Sequence, residues 1–208
     1  MGSAYYRRMD GIAWVAGAMK AARERLDVAT QNVANASTDG YRRAVARGLM
    51  TPGGVEIRTE RENQQGALRR TGRPFDLAIA GDGAFRVRDR RGDIVLTRSG
   101  AFTRDRFGHL SDDAGRILLA GRMPLRVPDG ATIEADGTVR NGGRTIERIP
   151  LPPGSSVHTG MLESSNVDAI GEMVDVLTAQ RSFETAQKVF GAIDATRDKT
   201  SNEIARLK

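Results

Sequence analysis

The chain has 208 residues, of which 39% are hydrophobic and 5% aromatic. That is enough for one ordinary domain with extensions, or a small domain between long helices, and is lean for a self-contained enzyme core. There is no cysteine, which excludes disulfides, thiolate nucleophiles and cysteine-bound metals. The net charge of +6 sets 32 basic residues against 26 acidic ones, interleaved along the chain with no block of about five like charges, so a mixed solvated surface is expected over a nucleic-acid footprint.

No apolar run approaches the ~20 residues of a membrane-spanning helix, and no apolar core follows the charges of residues 1–8, so neither direct membrane insertion nor a cleavable leader is expected. Residues 1–9 carry no repeating apolar face, and Asp10 is a candidate cap for a helix starting beside it. Ile12, Val15, Met19, Ala22, Leu26, Ala29 and Val33 step by alternating threes and fours, the spacing of a helix that packs along another helix. Two of these positions are alanine, so the partner backbone has to come close. The predicted helix runs to about Ser37, roughly 40 Å, with Lys20, Arg23, Glu24, Arg25, Asp27 and Gln31 on its solvated faces. It ends in the small, polar stretch from Asn32 to Tyr41, where Gly40 suits a left-handed terminating position.

Val45, Leu49, Val55 and Ile57 surround the turn Thr51-Pro52-Gly53-Gly54, predicting a β-hairpin or extended arm; residues 61–70 are polar and predict a connector. From Thr71 the pattern becomes β. Phe75, Leu77 and Ile79 alternate with Asp76, Ala78 and Ala80, the period of a half-buried strand. Turns at Gly81-Asp82-Gly83, Asp89 to Asp93, Asp105 to Gly108, Asp112 to Gly115 and Asn141-Gly142-Gly143 separate short apolar segments at hairpin spacing. Leu151-Pro152-Pro153-Gly154 is expected to end this unit, because consecutive prolines cannot continue a central strand. Ser164 to Asn166 offer caps, with Ser165 and Asp168 as a partial capping box, for a long C-terminal helix. Its stripe is Val167, Ile170, Val174 and Leu177, with Met173, Phe183, Phe190 and Ile193 supplying further apolar surface.

Motifs for chemistry are scarce. Gly81-Asp82-Gly83 lacks the spacing and following helix of a phosphate loop, and the acidic turns lack the ligand alternation of a calcium loop. His109 and His158 have no histidine or cysteine partner at ligand spacing, and no nucleophile, base and orienting group are linked by a motif. No cofactor, metal site or catalytic residue is expected.

Three segments carry a resemblance. Leu26 to Arg42 closely resembles the N-terminal signature of the bacterial flagellar axial proteins, the rod and hook subunits. Thr71 to Gly83, with Thr97-Arg98-Ser99-Gly100-Ala101-Phe102, matches the middle of the same family. Leu162-Glu163-Ser164-Ser165-Asn166-Val167, Glu172-Met173 and Ala179 to Glu184 match its C-terminal part. Together they look like a flagellar basal-body rod protein. The resemblance implies an α+β fold in which long N- and C-terminal helices pair as a coiled coil in the wall of a helical tube, flanking a compact, mainly antiparallel β domain in the outer layer. The boundaries expected are 1–42 for the N-terminal assembly helix, 43–70 for the hairpin arm and connector, 71–155 for the β domain and 156–208 for the C-terminal assembly helix.

Implied partners are other copies of the chain, other rod and hook axial proteins and the flagellar export apparatus, and the implied place is the periplasm-spanning rod of the basal body. By resemblance, Asn32, Asn35, Gly40, Tyr41, Leu162, Glu163, Asn166, Val167, Gln180 and Arg181 lie at assembly contacts. The apolar stripes add Ile12, Val15, Met19, Leu26, Val33, Ile170, Val174, Leu177, Phe183 and Phe190. Ala80, Ala84 and Phe183 depart from the residues common in relatives, and the compact middle of the chain suggests a proximal rod position. The alternative from another class is an arginine-rich nucleic-acid-binding protein, with Arg86, Arg88, Arg90, Arg91 and Arg98 along a sheet and Phe85 and Phe102 as stacking groups.

Overall fold

The computed structural model describes residues 11–51 and 54–206. They form two compact units: one of residues 11–34, 44–62 and 168–206, the other of residues 35–43 and 63–167.

In the first unit, α1 (Gly11–Ala34) and α2 (Ala169–Arg206) have 24 and 38 residues, or about 36 and 57 Å. They lie side by side and antiparallel: a β-carbon at Gly11 would lie 3.9 Å from Ile193 Cδ1, while Asn32 at the other end of α1 hydrogen-bonds Glu172. The candidate cap Asp10 lies outside the described residues. Of the α1 stripe, Val15, Ala22 and Ala29 are buried, and Ile12, Met19, Leu26 and Val33 are half-buried. Ala21 and Asn32 are buried as well, so the contact face is turned slightly from the one the periodicity marks.

The cap of α2 is Asp168, whose Oδ1 accepts the Ile170 N–H at 3.2 Å. Ser165, expected to share that role, instead accepts the Val167 N–H. The inner face of α2 also differs from the expected stripe. Glu172 and Ala179 are buried, and Val176, Phe183, Ala186, Phe190 and Ile193 half-buried, again alternating fours and threes. Ile170, Val174 and Leu177 are exposed. The inner stripe is concealed in sequence because a carboxylate and two alanines occupy it. Strands β1 (Ala44–Thr51) and β2 (Gly54–Arg61) form the hairpin, in register from Ala44 opposite Arg61 to Thr51 opposite Gly54, and both pack on α1. The turn residues Pro52 and Gly53 lie outside the described residues.

The second unit is antiparallel β. Its strands are β3 (Leu68–Arg70), β4 (Leu77–Ala80), β5 (Phe85–Arg88), β6 (Ile94–Thr97), β7 (Thr103–Arg104), β8 (Leu110–Ser111), β9 (Ile117–Ala120), β10 (Met123–Pro124), β11 (Thr132–Ile133), β12 (Thr138–Asn141), β13 (Arg144–Arg148), β14 (Ser156–Thr159) and β15 (Met161–Glu163). The largest sheet runs β6-β5-β9-β8-β7 with β10 on β9; β11-β12-β13, β14-β4 and β15-β3 are smaller. Leu77, Ile79, Phe85, Val87, Phe102, Leu110, Leu118, Leu125 and Val127 form the centre of one core.

Three corners share one pattern, Asp-x-x-Gly-x. Asp89, Asp105 and Asp112 each accept, through Oδ1, the backbone N–H four residues on, at 2.8 to 2.9 Å. In each, the glycine N–H returns to the aspartate carbonyl, and the glycine is left-handed at φ 94, 85 and 74. The side chain thus closes its own turn.

Three expectations change here. β4 is buried on both faces, Ala78 at 0% like Leu77 and Ile79, not half-buried, since alanine is small enough to be covered. The prolines at 152 and 153 do not end the pairing: Ser156–Thr159 adds to β4 and Met161–Glu163 to β3. β3 itself lies in the stretch expected to be a plain connector.

Two glycines give opposite expectations. A β-carbon at Gly100 would fall 1.6 Å from the Leu77 carbonyl oxygen, whereas one at Gly17 on α1 meets nothing within 4 Å. Gly100→Ala is expected to cost about 2 kcal/mol or more through overpacking, and Gly17→Ala to stabilise by about 0.5–1 kcal/mol. Urea unfolding of the full chain, followed by circular dichroism, checks both.

Candidate functional site

The most interconnected side chains in the second unit surround Glu163, the last residue of β15, at 1% exposure. A carboxylate at that depth needs cationic partners and donors. Arg98 donates to Oε2 at 2.9 Å, and the Gly66 N–H to Oε1 at 3.3 Å. Arg42 Nε lies 3.8 Å from Oε1. Arg98, itself buried, also donates to the carbonyls of Ile79 and Gly81. The two guanidiniums share one buried carboxylate, and the Nε of each is buried without a hydrogen-bond partner. Burial, and then the like charge of Arg98, push the Arg42 pKa below its ordinary value, while Glu163 and Asp82 pull it back.

The backbone closes around the same point. Gly40 donates its N–H to the Glu163 carbonyl at 2.6 Å. It has φ 72, and a β-carbon there would lie 2.3 Å from the Ser99 nitrogen, so both conformation and clearance require glycine. Asn166 accepts the Arg43 N–H at 2.7 Å and donates to the Gln64 carbonyl at 3.0 Å. Gln65 bridges the Ile79 carbonyl and the Gly81 N–H. Segments remote in sequence, residues 40–43, 64–66, 79–81, 98–99 and 163–166, are thereby tied together by hydrogen bonds and two ion pairs.

The first unit offers a different surface. Ile170 is 77% exposed, and Met173, Val174 and Leu177 each more than half exposed, an apolar row left uncovered among the described residues. Beside the helix seam, a mainly apolar groove of about 500 Å3 is lined by Trp14, Val15, Ala18, Thr178, Arg181, Ser182, Thr185, Ala186 and Val189.

Of the residues singled out in sequence, Ile12, Val15, Met19, Leu26 and Val33 lie along α1, and Phe183 and Phe190 on the inner side of α2. Asn32 is buried, with its amide paired to Ala44 and Glu172. Gly40, Tyr41, Glu163 and Asn166 come together in the second unit, Tyr41 through its carbonyl, which accepts the Asn166 N–H; Asn35 accepts the hydroxyl of Thr38. Leu162 is buried and Val167 half-buried; Gln180 and Arg181 are exposed on α2. Arg42, Arg98 and Glu172 fall inside the segments that carry the family resemblance without being singled out there as site residues, Arg98 is also named for the nucleic-acid face, and neither periodicity nor motif marks Gln65 or Gly66. A charge inside a strongly apolar strand-and-turn pattern, as at Arg98, is the signal that points to a buried pair.

That pairing removes Arg98 from any basic face. Phe85 and Phe102 meet edge to face in the core, centroids 5.5 Å apart at 87°, and both are buried, so neither is presented to a base. The nucleic-acid alternative is not favoured. Among the described residues no group of acidic or histidine side chains could hold a metal ion, and no helix is long and apolar enough to cross a membrane.

Comparison with known proteins picks out the same three segments. Residues 15–42 match the family model for flagella basal body rod proteins, residues 78–141 the D1 domain of the flagellar hook proteins FlgE/F/G, and residues 158–203 the C-terminal part of the flagellar basal body rod FlgEFG proteins. FlgF of Caulobacter vibrioides, a flagellar basal-body rod protein, is 28% identical over 230 residues, covering 89% of this chain and 92% of that protein. FlgF of Escherichia coli is 29% identical over 232 residues, with 85% and 92% covered. The hook protein FlgE of Rhizobium meliloti is 34% identical over 162 residues, which are 67% of this chain but 40% of the hook protein.

The order of these matches places the chain among the flagellar rod and hook axial proteins. Within that class it is a flagellar basal-body rod protein, and its place is the basal body.

Removing the Glu163 charge strands two guanidiniums. Glu163→Gln is expected to cost roughly 3 kcal/mol of stability, with Glu163→Gln/Arg98→Met losing less than the sum of the single changes. Urea unfolding of the four proteins measures the coupling; additive losses would show that the pair is not a unit.

Proposed function

We propose that this chain is a structural, non-catalytic subunit of the rod, polymerising through its terminal helices into the wall of a helical tube. The observation that carries this is the row Ile170, Met173, Val174 and Leu177, exposed on a helix whose opposite face is already occupied by α1. An apolar side chain of this size gains about 1.5–3 kcal/mol when fully covered, and a row of four repeated in every subunit suits a helical polymer. The neighbouring groove with Trp14 at its rim would accept a side chain from the next subunit. In this reading α1 and α2 act as a coiled-coil pair, narrow because alanines fill much of their seam.

The proposed partners are further copies of the chain and other rod and hook axial proteins, with export through the flagellum's own apparatus and neither nucleic acid nor direct membrane insertion involved. The compactness of the region between Tyr41 and Thr71 and of the β domain is the ground for proposing a proximal rod position. The working boundaries are the assembly helices Gly11–Ala34 and Ala169–Arg206 with the hairpin arm over residues 44–62, and a β domain over residues 35–43 and 63–167, shifted from the 1–42, 43–70, 71–155 and 156–208 expected because Ser156–Thr159 and Met161–Glu163 are strands.

The test is Val174→Asp/Leu177→Asp. Both positions are exposed, so the soluble protein should keep its circular dichroism and unfolding midpoint to within about 0.5 kcal/mol. Cells making only this variant should export it and yet be non-motile, with basal bodies lacking complete rods by electron microscopy. Complete rods of normal length would remove this row from the wall.

A further inference from the structure

The seam of the helix pair is almost blind to sliding. On α2, Ala179-Gln180-Arg181-Ser182-Phe183 is followed seven residues later by Ala186-Gln187-Lys188-Val189-Phe190, so the alanine and phenylalanine positions of the inner face repeat after one heptad. On α1, Ala22 and Ala29 are likewise seven apart and both buried. Moving one helix along the other by seven residues, roughly 10 Å, would bring alanine to alanine and phenylalanine to phenylalanine positions, and dispersion contacts alone would discriminate weakly between the two registers.

The apolar repeat is imperfect, with Val176 seven residues from Phe183 and Ala186 seven from Ile193, and one polar contact breaks it outright. Asn32 and Glu172, at 0% and 3% exposure, meet at the end of the seam, where Asn32 Nδ2 donates to Glu172 Oε2 at 3.0 Å. Seven residues along α2 from Glu172 stands Ala179, which offers no side-chain acceptor. The asparagine is held on its other side as well. Nδ2 donates to the Ala44 carbonyl at 2.7 Å, and Oδ1 accepts the Ala44 N–H at 2.9 Å, so the amide pairs with β1 as a neighbouring strand would. This two-way pairing fixes which edge of the amide donates towards Glu172. Aspartate could not donate at all, and glutamine would carry the amide a methylene too far.

We infer that the Asn32–Glu172 pair is the register pin of the helix pair: it selects one antiparallel alignment of α1 on α2 from heptad-shifted alternatives that the alanine and phenylalanine repeat would otherwise admit. Burying the two polar groups together is tolerated because each supplies what the other lacks. In a shifted register both would be buried without that partner, a mismatch worth about tenfold or more in population. Asn32 and Glu172 are therefore positioning residues, and the same contact sets where the hairpin begins, because Ala44 reads the other face of the amide.

The chain has no cysteine, so introduced thiols report register directly. A disulfide needs Cα atoms within about 7 Å, less than one heptad step. In the full-length protein, Gly11→Cys/Ile193→Cys reports the observed alignment, and Gly11→Cys/Ala186→Cys and Ala18→Cys/Ile193→Cys report a shift of one heptad either way. With Asn32 and Glu172 in place, mild oxidation should close the first pair about tenfold or more faster than either shifted pair. Adding Asn32→Leu/Glu172→Leu should bring at least one shifted pair to a comparable rate while helical circular dichroism is retained, and Glu172→Gln, which keeps an acceptor, should leave only the observed pair. If the double leucine variant still closes only the observed pair, register is set elsewhere and the inference falls. If it loses its helices, Glu172→Ala is oxidised in the same backgrounds. Closure of only the observed pair there, or loss of helix there too, would equally overturn a role in register.

Discussion

A carboxylate buried to 1% exposure is tolerable only where cations and donors reach it, and in the β unit Glu163 has both. Its demands explain much that surrounds it. Arg98 must turn inward, which brings its two terminal nitrogens onto the carbonyls of Ile79 and Gly81 at the end of β4. Gly40 must lack a side chain to reach the Glu163 carbonyl past Ser99, and Gly66 must do so because a β-carbon there would fall 1.8 Å from the Ser164 carbonyl oxygen. Short-range glycine requirements and two long-range ion pairs thus describe the same point from the backbone and the side-chain sides.

The helix unit solves a different problem with less material. Its seam is built largely from alanines, with Phe183, Phe190 and Ile193 as the large groups on α2, so close approach substitutes for volume. A narrow seam leaves more of each helix surface uncovered, and α2 accordingly carries its largest exposed apolar groups, Ile170, Met173, Val174 and Leu177, away from α1. The hairpin of β1 and β2 covers part of α1 instead, tethered at its first residue by the amide of Asn32.

Much of this was legible in the sequence, and what escaped it did so for physical reasons. The α1 stripe, the hairpin after it and the turns at Asp89, Asp105, Asp112 and Asn141 follow from periodicity and local turn chemistry, which are properties of adjacent residues. The inner face of α2 was not legible, because the periodic signal weighs apolarity, and the face that packs contains Glu172 and Ala179, while the more apolar Ile170-Val174-Leu177 row points outward. β14 and β15 are short and follow prolines; they are strands because β4 and β3 offer edges to pair with, a long-range cause. The Glu163 cluster was visible only as a family motif, since nothing local says that a glutamate ending a three-residue strand meets arginines 65 and 121 positions away.

The Asp-x-x-Gly corners have a consequence for how such a chain can grow. Each is closed by its own aspartate within five residues, so its geometry owes little to the rest of the sheet. A corner sealed in this way can be opened and filled with additional chain while the strands on either side keep their register, at an entropic cost that rises only slowly with the length inserted. The hook protein FlgE of Rhizobium meliloti aligns with two thirds of this chain over only 40% of its own length. A scaffold of autonomous corners can host added chain: insertions there lengthen the outside and leave the buried centre alone.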